Sequence, residues 1–302
     1  MSVTELLRAQ CAQPAPQEVA ALVAAVKERF GSSLNAVIFY GSGRRGVDLQ
    51  NGVIDLWAVV DDRRAVERGW RAWLGGLLPP NVYFLEANHA GASVRAKIGL
   101  FTLAELRQAS TKLESYVWGR LAQPVSLVFA RDEQIHAQVI EVLAACVETF
   151  LTNALPLATG ARPMDVWRIG LARSYASELR AEGRGRASDI VGADGDYYER
   201  LTLTCRPDAF VRNASGAWAA QPQSTTAQMV GRWRWRAVIG KFLSVLRLLK
   251  ALYTFEGGLD YIAWKLARHS GQTVEIPERV RRWPLIFVWG LMWRLYRRGV
   301  FR

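Results

Sequence analysis

A short glycine-serine turn between two apolar runs constrains the fold of this chain more than any other feature. Residues 36–40 read AVIFY and end at Gly41, and residues 53–62 read VIDLWAVVDD, so both runs predict β-strands. A glycine at a strand end lets the backbone approach a ligand, and the freed N–H groups and the Ser42 hydroxyl can hold phosphate oxygens. Asp55 stands on the second run, thirteen residues beyond Ser42. A Gly-Ser-Gly turn is common in ordinary loops, so the prediction of a phosphate-binding site depends on this strand-borne acid.

The residues around these two runs predict an α/β fold for the first part of the chain. Apolar side chains at helical spacing predict a helix over Gln17–Phe30, which Gly31 would end. The run NVYFLEAN predicts a third strand, and the segment RAVERGWRAWLGGLL before it predicts a helix. Thr102 is placed to cap a further helix, and another helix is expected just before Pro124.

Beyond residue 132 the pattern becomes helical, and we place a domain boundary there. Apolar residues recur three and four positions apart in three long segments, residues 134–155, 164–182 and 239–253. Residues 183–225 are rich in Gly, Ala, Ser and Asp, which predicts a long connection that could act as a lid. We therefore expect an α/β domain over residues 1–132 and an all-helical domain over residues 133–302.

The positive charge of the chain is concentrated in its last quarter. Residues 231–302 hold fifteen Lys and Arg against four acids, which is +11 of the total formal charge of +12. The same stretch holds six of the twelve tryptophans, interleaved with arginine as in GRWRWR. An anionic membrane favours this mixture, because Arg pairs with headgroups while Trp lies at the interface. Single-stranded nucleic acid favours it too, and a helical core with a solvated basic face is the third interpretation.

Neither a membrane span nor an exported protein is predicted. The longest apolar run near the end, PLIFVWGLMW, has ten residues, whereas a spanning helix needs roughly twenty. The three cysteines, Cys11, Cys146 and Cys205, lie far apart without metal-binding spacing. The first residues show no unbroken apolar segment typical of a secretion signal. We therefore expect a reducing, intracellular environment.

An acid on a strand shortly after a Gly-Ser turn resembles the nucleotidyltransferase pattern of the polymerase-beta-like superfamily. In that pattern the acid holds the Mg²⁺ that bridges the nucleoside triphosphate. The superfamily usually carries a second acid two residues on, where this chain has Trp57. Asp61 and Asp62 lie roughly 20 Å away at the far end of the strand, so they are expected to cap the next helix instead. Glu86 on the third strand is a candidate for the missing carboxylate.

Several segments are similar, in the same order, to signatures of the mitochondrial-type CDP-diacylglycerol synthases (phosphatidate cytidylyltransferases). They are YGSGRRG, IDLWAVVDD, KIGLFTLAEL and SYVWGRLAQPV, followed in the helical part by GLARSYASELRAE and LRLLKALYTFEGGLDYIAWKLARHSG. The resemblance covers most of residues 36–276. It implies cytidylyl transfer from CTP to phosphatidic acid with Mg²⁺, giving CDP-diacylglycerol and pyrophosphate.

The resemblance also assigns roles to individual residues. It implies Ser42, Asp55 and Lys97 as catalytic residues, with Asp55 as the metal ligand. The nucleotide would be held by Tyr40, Gly41, Ser42, Gly43, Lys97 and Arg120, and the lipid phosphate by Lys265 and Arg268. Secondary candidates are Arg44, Arg45, Arg173 and His269. The basic, Trp-rich end would retain the lipid through Trp283, Phe287, Trp289, Trp293, Arg294, Arg297 and Arg298.

This interpretation places the protein in the cytoplasm, peripheral on the inner face of the plasma membrane, with CTP and phosphatidic acid as partners and no DNA. Two alternatives keep the fold. One is an RNA or protein nucleotidyltransferase, whose binding to nucleic acid would weaken with salt. The other is a nucleotide-binding or membrane-binding module without turnover.

Overall fold

The computed structural model describes residues 1–46, 52–179, 185–270 and 276–282, together with positions 287, 290 and 293. The side chains of residues 45, 252 and 265–270 lie outside this description. The chain begins with α1 (Val3–Cys11), where Ser2 and Glu5 form a capping box. It continues with α2 (Gln17–Phe30), whose bounds confirm the helix predicted there.

A five-stranded sheet forms the centre of the first part. Its strands are β1 (Leu34–Tyr40), β2 (Ile54–Val60), β3 (Asn81–His89), β4 (Ala92–Thr102) and β5 (Ser126–Ala130), in the spatial order β3-β4-β2-β1-β5. Only the β2–β4 pair is parallel, and the others are antiparallel. Between β2 and β3 lie the helices α3 (Arg63–Val66) and α4 (Trp70–Leu77). Asp62 caps α3 by accepting from the backbone N–H of Arg64, as expected.

The two faces of the sheet pack against different layers, because successive side chains on a strand point to opposite sides. On one face Val37, Phe39 and Leu56 pack against α2. On the other face Ile38 and Trp57 join a larger core with the helices that follow the sheet. Asp55 and Trp57 are two residues apart on β2, so Asp55 also lies on this second face.

The helices on the second face begin where the sequence predicts. They are α5 (Leu103–Thr111), α6 (Val117–Leu121), α7 (Glu133–Ala154) and α8 (Pro163–Ala176). Thr102 and Glu105 form a capping box at the start of α5, and Asp132 caps α7. One apolar core includes side chains from both sides of residue 132, for example Trp57 and Phe150. The division into two domains at this residue stays a prediction.

A stacked aromatic pair fixes the contact between α7 and α8. The rings of Phe150 and Trp167 lie 4.4 Å apart and 12° from parallel. Gly170 lets the two helices approach, because a Cβ added there would lie 2.5 Å from Cζ of Phe150. Both aromatic side chains are fully buried. Truncation of either to Ala would cost about 3–5 kcal/mol.

The rest of the chain is mostly helical, with one small hairpin. It comprises α9 (Arg186–Ala193), α10 (Gly195–Cys205), β6 (Phe210–Arg212), β7 (Trp218–Ala220), α11 (Thr226–Thr254), α12 (Gly258–Ser270) and α13 (Glu278–Arg282). The hairpin corrects the expectation of an all-helical second domain. The expected long connection over residues 183–225 is wrong, because α9 and α10 bury apolar side chains such as Ile190 and Tyr198 in the core. Small polar residues at the helix ends masked this periodicity.

Among the described residues, one helical stretch is long and apolar enough to cross a membrane. It runs from Glu133 to Leu157 and has a mean hydropathy of 1.4. Two thirds of its apolar window, 67%, is buried inside the protein. The stretch therefore packs as the central helix of the core.

Candidate active site

The turn after β1 lies directly against Asp55. The antiparallel pairing of β1 and β2 sets Tyr40 opposite Asp55, so the chain leaves the strand at Gly41 beside this carboxylate. Gly41 has a φ of +88°, and a Cβ there would lie 3.1 Å from Oδ2 of Asp55. Only glycine fits both constraints without strain. The local sequence thus brings an acid against the exposed backbone of a Gly-Ser turn.

Lys97 is the direct neighbour of Asp55 in the sheet. Parallel pairing of β2 and β4 aligns Asp55 with Lys97 and Trp57 with Gly99. Side chains at paired positions point to the same face, so the carboxylate and the ammonium group share one end of the sheet. The sequence places these residues 42 positions apart, and the pairing brings together the predicted acid and the predicted cation.

Trp57 fills the position where the superfamily pattern has a second acid. Its side chain is 2% exposed. Its ring centroid lies 5.1 Å from Tyr40, 4.8 Å from Phe101 and 6.2 Å from Tyr116. Gly99 on β4 leaves room for the indole, since a Cβ there would meet Cδ1 of Trp57 at 3.1 Å. Position 57 therefore belongs to the aromatic floor beneath the site.

Arg120 reaches the site from α6 as a buried cation. Its Nη2 donates to Oε2 of Glu178 at 2.5 Å, and the two side chains are only 10% and 13% exposed. Burial acts to lower the pKa of Arg120, but the Glu178 carboxylate and the neighbouring tyrosines Tyr40, Tyr175 and Tyr116 together raise it above its usual value. The guanidinium also lies 5.4 Å from the ring of Tyr116. Arg120 stays charged beside the pocket, and no motif in the sequence pointed to Glu178 as its partner.

A pocket of about 360 Å³, including its open mouth, lies where these elements meet. Its lining residues are Tyr40, Gly41, Ser42, Asp55, Arg120, Gln123, Tyr175 and Arg186. The first five are predicted site residues, and the other three were missed. Gly43, which begins a short 3-10 turn, and Lys97 are predicted residues outside this lining.

The additional pocket residues form a hydrogen-bonded wall. The Tyr175 hydroxyl donates to Oε1 of Gln123 at 3.3 Å, and Nε2 of Gln123 donates to the carbonyl of Gly119 at 2.7 Å. Across the pocket, burial and the negative charge of Asp55 raise the pKa of Tyr40. The Tyr40 phenol therefore stays protonated and can donate a hydrogen bond. Gln123 lies within the family-like segment GRLAQPV, so this segment could have indicated Gln123 as a pocket residue.

A further arginine approaches the pocket from α11. The guanidinium of Arg247 lies 4.7 Å from the ring of Tyr116, the ring that Arg120 also contacts. Its Nε donates to the carbonyl of Pro79 at 3.3 Å. Burial lowers the pKa of Arg247, and the positive charge of Arg120 acts in the same direction. Two arginines and one carboxylate, Glu178, thus leave a net positive charge behind the pocket.

The start of α12 is pinned to the outer strand of the sheet. The N–H of Phe84 donates to the carbonyl of Glu256 at 2.8 Å. The N–H of Glu256 donates in turn to the carbonyl of Val82 at 3.1 Å. Tyr261 then packs 5.6 Å from Phe84. Burial and, after it, the negative charge of Asp55 raise the pKa of Tyr261. The first turns of α12 therefore lie near the acid of the site.

Lys265 and Arg268, the predicted lipid-phosphate residues, follow later in α12. Their backbone is helical, but their side chains lie outside the described residues, as does that of His269. The side chain of Arg45 also lies outside the described residues, and so do the predicted lipid-retaining residues near the C-terminus, except Phe287 and Trp293, which are exposed. Their predicted roles stay predictions.

Three other candidates have structural surroundings of their own. Arg44 donates to Oε1 of Gln13 at 2.8 Å and lies 3.5 Å from Asp194, with a side chain only 9% exposed. It ties the turn to the segment after α1 and to the connection between α9 and α10. Glu86, the candidate for the missing carboxylate, pairs with Arg95 at 2.9 Å. Arg173 is exposed on α8.

The donor set at the site suits a shared Mg²⁺ ion. Within the described ranges, His, Cys, Asp and Glu form no group of three or more that could hold a metal. Asp55 lines the pocket against the close-fitting backbone of Gly41. Mg²⁺ commonly takes one or two carboxylates, with substrate phosphates and water completing its shell. A single carboxylate beside the Gly41 turn fits that pattern.

The matches to known proteins are found among solved structures. No family model matches the chain, and no curated protein matches it. The chain is similar to the crystal structure of a nucleotidyltransferase-like protein from Exiguobacterium sibiricum 255-15. The identity is 9% and the TM-score 0.29, over 94% of this chain and 92% of the other. A TM-score this low describes a loose overlap of chain paths, so the case for a function rests on the site itself.

Proposed function

We propose that this protein is a nucleotidyltransferase that moves a nucleotidyl group from a nucleoside triphosphate to a phosphate-bearing acceptor. The observation that carries the proposal is the meeting of Asp55 with the Gly41–Ser42 turn and with Lys97, its neighbour on β4. An acid, a backbone cradle and a cation at one end of a sheet match the needs of phosphoryl chemistry. Such reactions depend chiefly on positioning and on electrostatic stabilisation.

Each group has a part in this scheme. The backbone N–H groups of the Gly41 turn and the Ser42 hydroxyl would bind triphosphate oxygens. Lys97 and Arg120 would offset the charge that develops on the phosphates. The protonated Tyr40 hydroxyl is placed to donate a hydrogen bond in the pocket. Asp55 would hold Mg²⁺, which when bound neutralises phosphate charge and orients the triphosphate.

For the acceptor we propose phosphatidic acid, with CTP as the nucleotide. An oxygen of the lipid phosphate would attack the α-phosphorus of CTP, the bond to the bridging oxygen of the β-phosphate would break, and pyrophosphate would leave. The attacking phosphate is already an anion, so no protein base has to remove a proton. The aromatic Trp57 in place of a second acid is compatible with such an acceptor. The family-like segments quoted above motivate the choice of both substrates.

The acceptor would bring the protein to a membrane. Phosphatidic acid lies in a bilayer, so we propose peripheral attachment to the cytoplasmic face of the plasma membrane. The positive charge in the last quarter of the chain supports attraction to such a surface.

The experiment measures pyrophosphate release by the full chain with Mg²⁺ and each of the four nucleoside triphosphates in turn. Each nucleotide is tested with vesicles of phosphatidylcholine alone and with vesicles that also contain phosphatidic acid. We expect release only with CTP and phosphatidic acid together. Release with an RNA or protein acceptor but with no lipid would favour the alternative nucleotidyltransferase. Nucleotide binding without release under any condition would identify a module without turnover.

A further inference from the structure

Helix α11 carries apolar side chains on two opposite faces. One face packs into the protein through Met229, Trp233 and Thr254 at helical spacing. The other exposes seven large side chains, between 42% and 64% of each, namely Trp235, Val238, Phe242, Val245, Leu248, Leu249 and Tyr253. An ordinary surface helix has one apolar face and one polar face. The second apolar face of α11 therefore indicates an interaction surface.

Helix α4 extends this exposed surface. Trp70, Trp73 and Leu77 are 54%, 65% and 67% exposed. The end of α4 lies against the end of α11, because Nζ of Lys250 donates to the carbonyl of Leu78 at 2.6 Å and Arg71 donates to that of Thr254 at 3.1 Å. We call the ten exposed side chains of the two helices the α4–α11 face.

The α4–α11 face is large for a monomer. Ten big side chains, each about half exposed, present an apolar surface on the order of 1,000 Å². Typical monomers expose patches of only a few hundred Å². Half of the ten residues are aromatic: three of them lie on α11, and two tryptophans lie on α4. Aromatic side chains of this kind are enriched in the interfacial layer of a bilayer.

The charges around the α4–α11 face select an anionic partner. Helix α11 contains no Asp or Glu in 29 residues. Arg232, Arg234 and Lys241 are exposed along its N-terminal half. A lipid leaflet with acidic headgroups is apolar below and negative at its surface, which complements an apolar face whose longer helix carries cations and no acid.

The same helix leads to the candidate active site. Arg247 stands between the exposed Val245 and Leu248, yet its guanidinium points inward to Tyr116 beside Arg120. One turn of α11 thus joins the exposed face to the charged groups behind the pocket. A bilayer on this face would therefore contact the helix that carries Arg247.

We propose that the α4–α11 face docks onto an anionic lipid bilayer. The docking itself stands on the exposed face and its charges, and only the delivery of a lipid acceptor to the pocket rests on the proposed function. These side chains project from helices that are packed on the protein, so they would enter the interfacial region without crossing the bilayer.

The test is flotation of the full chain with vesicles of phosphatidylcholine, with and without phosphatidylglycerol. The variant replaces Trp235, Phe242 and Leu249 together by Ser, and the control replaces two other exposed apolar residues, Leu179 and Val211, by Ser. We expect the wild type and the control to bind the anionic vesicles. The triple variant should lose roughly tenfold or more of this binding, because it removes three exposed apolar side chains that the bilayer would bury. All three proteins should melt at similar temperatures, since every changed side chain is exposed.

Several results would overturn the docking surface. They are wild-type binding that the triple variant retains, absence of wild-type binding, and binding lost only when residues 276–302 are deleted. A wild-type dimer that the triple variant converts to a monomer, with vesicle binding unchanged, would assign the face to a second copy of the chain.

Pyrophosphate release with a soluble short-chain phosphatidic acid separates this inference from the proposed function. The triple variant should keep that activity while losing activity on vesicles. A wild type that docks through the face but releases no pyrophosphate with any acceptor would refute the proposed function and leave the docking surface standing. Turnover of the soluble lipid by a wild type that does not bind vesicles would support the proposed function and refute the docking surface.

Discussion

Arg120 and Glu178 form a buried ion pair at the wall of the pocket, with Nη2 and Oε2 2.5 Å apart. The pair joins α6 to the segment after α8 and keeps a cation close to Asp55 without leaving its charge uncompensated. Removing one partner of a buried pair leaves the other charge stranded, which costs more than the pair itself contributes.

We therefore predict that Glu178→Gln lowers the free energy of unfolding by about 3 kcal/mol in chemical denaturation. Asp61→Asn is the matched control, because Asp61 pairs with Arg131 at 2.7 Å where both side chains are about half exposed. That pair is screened by water, so its loss should be barely measurable. Equal effects of the two substitutions would contradict the buried character of the Arg120–Glu178 pair.

Gly41→Ala should impair catalysis beyond its effect on folding. Its backbone is left-handed, which costs an Ala about 1 kcal/mol, and the new Cβ would press on Oδ2 of Asp55. Gly46→Ala has a similar φ of +76° but meets no atom within 4 Å. Both variants should lose similar stability in thermal melts, and only Gly41→Ala should lose roughly tenfold or more of pyrophosphate release. Equal activities would show that the contact with Asp55 does not matter.

Lys250 should make stability depend on pH. Burial, and after it the charge of Arg63, lowers the pKa of Lys250 from 10.5 to about 7. Between pH 7 and 9 the unfolded chain therefore binds more protons than the folded one, so the free energy of unfolding should rise with pH. The rise should be about 2 kcal/mol over this window.

Denaturation curves of Lys250→Met and of the control Lys241→Met, a substitution at an exposed site on the same helix, check this dependence. The rise between pH 7 and 9 should disappear in the Lys250 variant and persist in the control. Parallel pH profiles for wild type and Lys250→Met would show that another group is responsible.

Gly170→Ala should destabilise the contact between α7 and α8 by about 1–3 kcal/mol, because the new methyl group overlaps the ring of Phe150. The control is Gly231→Ala in α11, where a Cβ meets nothing within 4 Å. There Ala should stabilise the helix by about 0.5–1 kcal/mol. Thermal melts of both variants measure the difference, and a stabilising Gly170→Ala would contradict the close approach of the helices.

Local signals were sufficient to predict much of the site. Helix α2, the Thr102 cap and the strands on either side of the Gly41 turn follow from periodicity and from capping residues within a few positions. The closeness of Asp55 to the turn also follows, because β1 and β2 are consecutive strands that pair directly.

Contacts between distant parts of the chain could not be predicted from such signals. The parallel register of Asp55 and Lys97 depends on β4, and local alternation along β4 does not tell which strand it pairs with. Glu178 and Arg247 come from helices far along the sequence, and only packing brings them to Arg120. The exposed face of α11 could not be predicted either, because the same apolar pattern is expected of a helix whose residues are buried.

The most direct test of the central claim follows a radiolabel from the α-phosphate of CTP into lipid, with phosphatidic acid vesicles and Mg²⁺. The wild type should transfer the label to the lipid fraction, Asp62→Asn at the α3 cap should do so too, and Asp55→Asn should reduce the rate by roughly a thousandfold. Unlabelled lipid with the wild type, or transfer that survives Asp55→Asn, would contradict the account.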